Sequence, residues 1–358
     1  MARGRGARAR RAVTTTAFLA VTLTIASAAG CTTGREEVDD GRDHSRGTAT
    51  APSPTGQETR PTPSGQGTGP TPSGQISGPS PSGQHTARGS VIAVKIDNSS
   101  AARPQTGLNA ADIVYVEQVE GGLSRLMAVY ATAVPSVVGP VRSARESDLE
   151  LLRQFDRPTL AFSGAQSKLL PLIDRAPLRA ETPGHTRGAF ERGAGRPAPH
   201  NLFLRPRALL SREPGATALT TGFRFGAAPE GGHPSASRTV RYPLASFTFT
   251  WSPGRHRYLV AMDGTPAVTT DAGPVAPATV VVQYVKVHPS RFHDFLGHAT
   301  PYTQTVGAGA ATVMRDGRAY RATWKRPTAT DGTRFETNDG KPMTFAQGQV
   351  WVVLAKAA

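Results

Sequence analysis

The sequence predicts an α+β protein in which a mixed α/β domain, residues 90–235, precedes a β-rich domain, residues 236–358. In the first domain, apolar runs, a glycine hairpin signal and an amphipathic helix pattern follow one another. In the second domain, short apolar runs alternate with Asp-Gly turn signals. Both domains follow a segment, residues 32–89, that contains too few apolar residues to fold.

Residues 1–31 predict a lipoprotein signal peptide. Five arginines without an acidic residue precede an apolar run over residues 17–29, which is short for a membrane span. The run ends in Ala28-Ala-Gly-Cys31, which resembles a lipobox except that Ala28 stands where Leu is usual. We therefore expect acyl chains such as palmitate on Cys31 and anchorage on the extracytoplasmic face of the cell membrane.

Residues 32–89 predict a disordered linker rich in Pro, Gly, Ser and Thr. A version of Pro-Thr-Pro-Ser-Gly-Gln recurs every nine residues, and such a segment gives reach without a core. The net charge of +15 falls to +10 without the five signal-peptide arginines (15 − 5), which suggests anionic wall polymers or lipid headgroups as partners. Export excludes nucleic acid as a partner, and the single cysteine excludes a disulfide.

The first domain opens with predicted strands. Residues 91–97 form an apolar run typical of a strand buried on both faces. Residues 112–119 and 123–132 flank Gly121-Gly122, which predicts a hairpin whose two-residue turn would place Gln118 opposite Arg125. A strand over residues 158–163 and a helix over residues 167–173 follow.

Residues 139–145 (Gly-Pro-Val-Arg-Ser-Ala-Arg) predict the start of the main helix. Ser143 and Glu146 have the spacing of a capping box, and an apolar pattern continues for about three turns to Phe155. Arg142 and Arg145 would then flank a helix N-terminus, where free N–H groups and positive charge favour an anion. The alternative is a structural knot of ion pairs between these arginines and the hairpin residues Glu117, Glu120 and Arg125.

Other polar candidates lie at strand ends and loops. Asp97 and Asn98 end the first strand, and Arg103 lies in the loop that follows. A long loop, residues 182–199, precedes His200, which is a candidate acid, base or ligand, although a lone histidine is more often structural. His288, His293 and His298, spaced by five, predict a solvated loop rather than a metal site.

The second domain predicts six strands, and the whole chain lacks the common catalytic motifs. There is no Gly-x-Ser-x-Gly, Ser-x-x-Lys, Walker or His-Glu-x-x-His pattern, which disfavours the enzyme classes that use them. The strand-like runs are residues 247–251, 257–262, 279–287, 311–315, 320–324 and 350–354.

Several of these motifs together resemble the YerB-like family of bacterial lipoproteins, which has two domains of unknown function. They are residues 96–98, 102–108, 111–115, 119–125, 139–145 and 198–202. The resemblance implies a lipid-anchored extracytoplasmic protein and supplies no reaction. The residues that it singles out are Asp97, Asn98, Arg103, Glu117, Glu120, Arg125, Arg142, Arg145, His200 and Asn201.

The main functional hypothesis is a membrane-tethered protein that binds an anionic envelope ligand. Arg142, Ser143, Arg145 and the helix start would hold the anionic group, with Arg103 and Arg125 assisting and Glu117 and Glu120 orienting the arginines. A second hypothesis is an envelope transferase or hydrolase acting on a phosphate-linked glycan, with Mg²⁺ or proton transfer at Asp97, Glu117 and Glu120; otherwise no cofactor is expected. A third is a scaffold for another envelope protein, with Trp251, Trp324 or Trp351 as the contact.

Overall fold

The computed structural model describes Met1 and residues 89–210, 213–294 and 297–358. The predicted signal peptide, the lipidation of Cys31 and all but the last residue of the predicted linker lie outside these ranges. The described residues from 89 onward belong to one compact unit of the chain.

Strands dominate the described part of the chain. The first elements are β1 (Ile92–Asp97), β2 (Ile113–Gln118), β3 (Ser124–Tyr130), α1 (Glu146–Leu152), β4 (Thr159–Ala161), α2 (Leu170–Arg175), β5 (Arg179–Glu181), β6 (Phe190–Arg192) and β7 (Leu202–Leu204). Next come β8 (Arg224–Phe225), β9 (His233–Pro234), β10 (Ser237–Tyr242), β11 (Ala245–Ser252), β12 (Arg257–Met262), β13 (Thr265–Pro266), β14 (Val268–Thr269), β15 (Gly273–Pro274) and β16 (Thr279–Val285). The last are β17 (Val287–His293), β18 (Ala299–Thr303), β19 (Gly307–Arg315), β20 (Arg318–Arg326), β21 (Arg334–Thr337), β22 (Thr344–Phe345) and β23 (Val350–Lys356).

The predicted fold class is wrong, because the first domain is not a mixed α/β domain. Its two α-helices have seven and six residues, and the structure is mostly β-sheet. The expected three-turn helix ends at Leu152, and the chain turns soon afterwards through Arg157, whose φ is +46°. Short helices suffice here because a second sheet, rather than helices, covers one face of the main sheet.

The main sheet has eleven strands and joins residues from both halves of the chain. Its order is β21-β20-β19-β16-β23-β2-β3-β1-β4-β5, with β9 beside β20. The C-terminal strand β23 lies between β16 and β2 and runs parallel to both. Strands β16 and β23 are runs of valine and other apolar residues, which is the pattern of strands buried on both faces.

A second sheet, β10-β11-β12-β13, packs on one face of the main sheet. The rings of Phe247 and Phe249 lie 6.3 and 5.9 Å from that of Trp351, and the Tyr242 hydroxyl donates to the carbonyl oxygens of Val116 and Leu354. The apolar side chains of α1 and α2 pack on the opposite face. Because Trp351 and Trp324 are buried, they cannot form the exposed contact surface of the scaffold hypothesis.

Two local predictions need correction. The β2–β3 hairpin is confirmed, but its turn spans residues 119–123, so Arg125 lies opposite Glu117 and not Gln118. His288 and His293 lie in strand β17 of a β17–β18 hairpin and not in a loop, and the His288 ring stacks on Tyr302 at 5.0 Å. His298 directly precedes β18 and lies outside both strands, as a loop residue would.

Truncation of Trp351 tests the contact between the two sheets. We expect Trp351→Ala to lower the free energy of unfolding by about 3–5 kcal/mol, because the indole fills the space beneath Phe247 and Phe249. Trp251→Ala is the control, since Trp251 is only partly buried. Chemical denaturation measures the free energy of unfolding of both variants. Equal, small losses of stability in the two would contradict this packing.

Candidate functional site

Three strands bring charged residues of the sequence motifs into one row. Asp97 in β1 lies opposite Arg125 in β3, and Arg125 lies opposite Glu117 in β2. Residues directly opposite one another in a sheet point to the same face, so the three side chains are neighbours. All three are buried. The hairpin turn sets this row, because its length fixes which residue faces Arg125.

Asp97 is the centre of the row. Its carboxylate lies 3.5 Å from Nη1 of Arg125 and 3.1 Å from Nε of Arg142, and it accepts a hydrogen bond from the Ser99 N–H at 3.0 Å. Burial alone would raise the pKa of Asp97, but the positive charges of Arg125 and Arg142 outweigh it and lower the pKa to about 2. Asp97 is therefore ionised at neutral pH.

Lys95, two residues earlier on the same face of β1, carries the next contacts. Its ammonium group pairs with Glu117 and lies 2.7 Å from Asp148 in the first turn of α1. Burial lowers the pKa of Lys95 to about 8, against the attraction of Asp148. The sequence analysis missed Lys95 and Asp148, although a lysine inside a strand buried on both faces requires acidic partners.

The start of α1 differs from the prediction. Arg145, not Ser143, is the N-cap residue, and its N–H donates to Asp148 Oδ2 at 2.7 Å, so the predicted Ser143–Glu146 capping box is wrong. Ser143 lies just outside the helix, with its hydroxyl 3.4 Å from that of Ser163. The helix N-terminus is thus already occupied by a carboxylate of the helix itself.

Arg145 is paired with Glu120 of the hairpin turn. Its Nε and Nη2 donate to Glu120 Oε2 at 2.9 and 2.7 Å, and Nη1 donates to the carbonyl oxygens of Ser143 and Ala144. Burial would raise the pKa of Glu120, but the charge of Arg145 outweighs it and the pKa is lowered. This two-point contact ties the hairpin turn to the start of α1.

Together these residues form what we call the buried ion cluster. Four basic residues meet four carboxylates, so the charges balance. The members are Lys95, Arg125, Arg142, Arg145, Asp97, Glu117, Glu120 and Asp148. The side chains of Arg125, Arg142 and Arg145 are only 6–8% exposed. This geometry favours the ion-pair knot over an anion pocket at Arg142 and Arg145.

Asn98 and Arg103 join this cluster to the second sheet. Asn98 donates to the Ser124 hydroxyl at 2.9 Å and accepts from Arg103 Nε at 3.2 Å. Arg103 also pairs with Asp263 at 2.7 Å, in the turn between β12 and β13. Arg103 is therefore a bridge between the loop after β1 and the smaller sheet, rather than part of the ion cluster.

His200 lies at the rim of the cluster. Its Nδ1 is 2.8 Å from Asp97 Oδ2 and 3.1 Å from the Ser99 hydroxyl. An ionised carboxylate can only accept, so Nδ1 carries the proton. The side chain is 22% exposed, and Nε2 has no partner among the described residues. Asn201 does not join the cluster, because its side chain bonds to Gly193 and Arg192 and shapes the preceding loop.

Arg196, which the sequence analysis missed, lies on the same loop as His200. Its Nη1 and Nη2 donate to the carbonyl oxygens of Ala102 and Pro104, each at 2.6 Å. Arg196 has no carboxylate partner in the part of the chain that the structure describes. Both Arg196 and His200 thus contact residues 97–104, which we call the β1 loop. No simple sequence signal marks Arg196, because arginines are frequent throughout residues 182–207.

The residues suggested for Mg²⁺ do not share a site. Asp97 faces Arg125 and Arg142, Glu117 faces Lys95, and Glu120 faces Arg145. Across the described ranges, no group of three or more His, Cys, Asp or Glu residues is placed to hold a metal ion.

No helix within the described ranges has the length and apolarity to cross a membrane.

Removal of the buried lysine tests the ion cluster. We expect Lys95→Met to lower the free energy of unfolding by about 3–5 kcal/mol, because Glu117 and Asp148 would be left buried without their cation. The matched control is Lys325→Met, which breaks the exposed Lys325–Glu336 pair and should cost less than about 1 kcal/mol. Chemical denaturation measures the free energy of unfolding of both variants. A loss of stability in Lys95→Met as small as that in Lys325→Met would contradict the buried ion cluster.

Comparisons with known proteins agree with this architecture. The profile "Protein of unknown function (DUF3048) N-terminal domain" matches residues 76–218, and that of the C-terminal domain matches residues 238–352. A segment of 65 residues is 46% identical to "Putative lipoprotein YerB" of Bacillus subtilis (strain 168). That segment covers 18% of this chain and 20% of the relative, so the match spans only about a fifth of YerB.

The fold is also similar to a solved structure. The crystal structure of the YerB protein from Bacillus subtilis superimposes with a TM-score of 0.63 at 21% identity, covering 77% of this chain and 94% of that one. At this identity the likeness shows the fold alone. With both domain profiles matched in order, the chain belongs to the DUF3048 family of proteins of unknown function and is homologous to YerB.

Proposed function

We propose that the protein is a membrane-anchored extracytoplasmic lipoprotein that binds an anionic group of a cell-envelope ligand at the β1 loop. The lipoprotein part is supported by the name of its relative and by the pattern of residues 1–31 that ends in Cys31. The linker pattern of residues 32–89 would give the folded part reach from the membrane into the wall.

The observation that carries the binding proposal is the way in which the His200 ring is held. Buried Asp97 fixes the ring through Nδ1, while the side chain is 22% exposed and Nε2 has no described partner. Because Asp97 accepts the Nδ1–H, Nε2 is the ring nitrogen that is left to contact a ligand. The ring is thus oriented before a ligand arrives, which reduces the entropy cost of binding.

Arg196 supports the same proposal. Two of its five N–H groups are used on backbone carbonyl oxygens, which leaves three for a ligand. No described carboxylate neutralises its charge. Arg142 and Arg145, which the sequence predicted as the anion site, are instead paired with Asp97 and Glu120. A wall-polymer phosphate, a muropeptide carboxylate or a lipid headgroup has the charge that this pair of residues would bind.

The Asp97–His200 pair also favours a second candidate, the envelope transferase or hydrolase. A buried carboxylate at Nδ1 and an open Nε2 are the arrangement of a general base. A phosphate-linked glycan would be its substrate, with the neutral ring taking a proton from the attacking hydroxyl or water. Ser99 contacts Nδ1 and not Nε2, so it is not placed as a nucleophile that His200 activates.

Thermal-shift binding tests the proposal. The purified protein is titrated with inorganic phosphate, teichoic-acid fragments, muropeptides and anionic lipid headgroups, with and without Mg²⁺. We expect one of these ligands to stabilise the wild type and to lose at least about tenfold in affinity in His200→Gln and in Arg196→Ala, since each variant removes a charged hydrogen bond.

The control is His185→Gln, an exposed loop histidine that bonds only to a backbone carbonyl oxygen. Its affinity should equal that of the wild type. An equal loss in all three variants, or no stabilisation by any of the ligands, would contradict the binding proposal. Turnover of a bound glycan that disappears in His200→Gln would instead support the enzyme.

A further inference from the structure

A cavity lies far along the main sheet from β1, beside strand β20. It has a volume of about 1150 Å³. Residues of the segment 224–233, of β20 and of the segment 337–344 line it. We call it the β20 groove.

The groove exists because two partial strands share one edge of β20. Strand β9 pairs with Arg318 and Ala319, and β21 pairs with residues 322–325. Tyr320 and Arg321 lie between them, where neither strand covers the edge. The gap is thus a feature of strand pairing and not of a loose loop.

Two arginines of β19 and β20 hold the segment of residues 224–233 in place. Arg315 Nη1 donates to the carbonyl oxygen of Gly226 at 2.9 Å, and Arg318 Nη2 donates to that of Gly231 at 3.2 Å. Gly232, at φ +64°, lies against Tyr320, and a Cβ there would approach the ring to 2.5 Å. A residue other than glycine cannot occupy this position without moving this segment, so the shape of the groove is built into the sequence.

Two arginines that line the groove have side chains with no described partner. Arg224 and Arg321 are exposed, and neither side chain makes a hydrogen bond or ion pair with any residue that the structure describes. Lys341 is paired with Asp339 at 3.0 Å. Against the two unpaired arginines stands one carboxylate without a described partner, that of Glu230.

An exposed aromatic residue, Phe225, also lines the groove. Phe225 packs edge to face on Phe345 at 6.2 Å and remains 42% exposed. An aromatic ring next to guanidinium groups can pack on the apolar face of a sugar while the arginines bind its charged substituents.

We propose that the β20 groove is a second binding site, which takes a segment of a phosphate-bearing glycan. Arg224 and Arg321 bind the phosphate groups, and Phe225 packs on a sugar ring. Phosphate suits guanidinium because it accepts two parallel N–H bonds. The volume exceeds the range of about 300–1000 Å³ that is common for small-ligand sites, which favours a segment of a polymer.

This proposal is separate from the one at the β1 loop, because no residue is shared between the two. Glu230, which lines the groove, provides a further test. Glu230 repels an anionic ligand, so its neutralisation should strengthen binding.

Fluorescence anisotropy of a labelled, glucose-substituted poly(glycerol phosphate) with the full chain tests the proposal. We expect Arg224→Ala/Arg321→Ala to lose at least about tenfold in affinity, because two charged contacts are removed. Glu230→Gln should gain about twofold to fivefold from the removed repulsion. Both arginine side chains are exposed and without described partners, so the double variant should keep the thermal midpoint of the wild type.

Arg334→Ala is the matched control, since Arg334 is an exposed arginine of β21 that does not line the groove and whose side chain has no described partner. It should stay within about twofold of the wild type. An equal loss in all arginine variants would show diffuse charge attraction and overturn the proposal. Equal binding of neutral dextran, or no binding of the phosphate polymer, would also overturn it.

His200→Gln separates the two sites. Its affinity for the polymer should be unchanged if the groove is the site. A loss in His200→Gln with normal binding in the double arginine variant would assign the polymer to the β1 loop and overturn the second site.

Discussion

The buried carboxylate of Asp97 is the interaction on which the candidate site depends. A charge in a protein interior is costly unless it is paired and hydrogen-bonded. Asp97 is paired with Arg125 and Arg142 and accepts hydrogen bonds from Ser99 and His200. Arg142 comes from the segment before α1 and Arg125 from β3, so one carboxylate holds a loop and a strand against β1. The same carboxylate orients His200, so the position of the His200 ring at the rim depends on the buried ion cluster.

The site also depends on residues far along the chain. The β1 loop is tied to the second sheet by Arg103 and Asp263, and β2 is paired with the C-terminal strand β23. The Tyr242 hydroxyl bonds to β2 and β23 at once. Both halves of the chain therefore shape the site, which is consistent with a family in which the two domains occur together.

Sequence reasoning located strands β1, β2 and β3 and the polar residues at their ends, because apolar runs and glycine turns are local signals. It gave the wrong fold class for the first domain, since the pairing of β23 with β2 and the cover of the second sheet over Trp351 are long-range events. The register of the hairpin also failed by one residue, because turn length decides it. Lys95, Asp148 and Arg196 were missed for a similar reason: their partners are distant in sequence.

The most direct test of the account is the pKa of Asp97, measured by NMR titration of its side-chain carboxyl carbon. We expect a value of about 2. Because the pKa is lower in the folded chain than in the unfolded one, Asp97 contributes stability above about pH 4 that is lost as the pH falls towards 2. A pKa at or above the ordinary value of 3.8 would contradict the account, because Arg125 and Arg142 would then not be committed to Asp97.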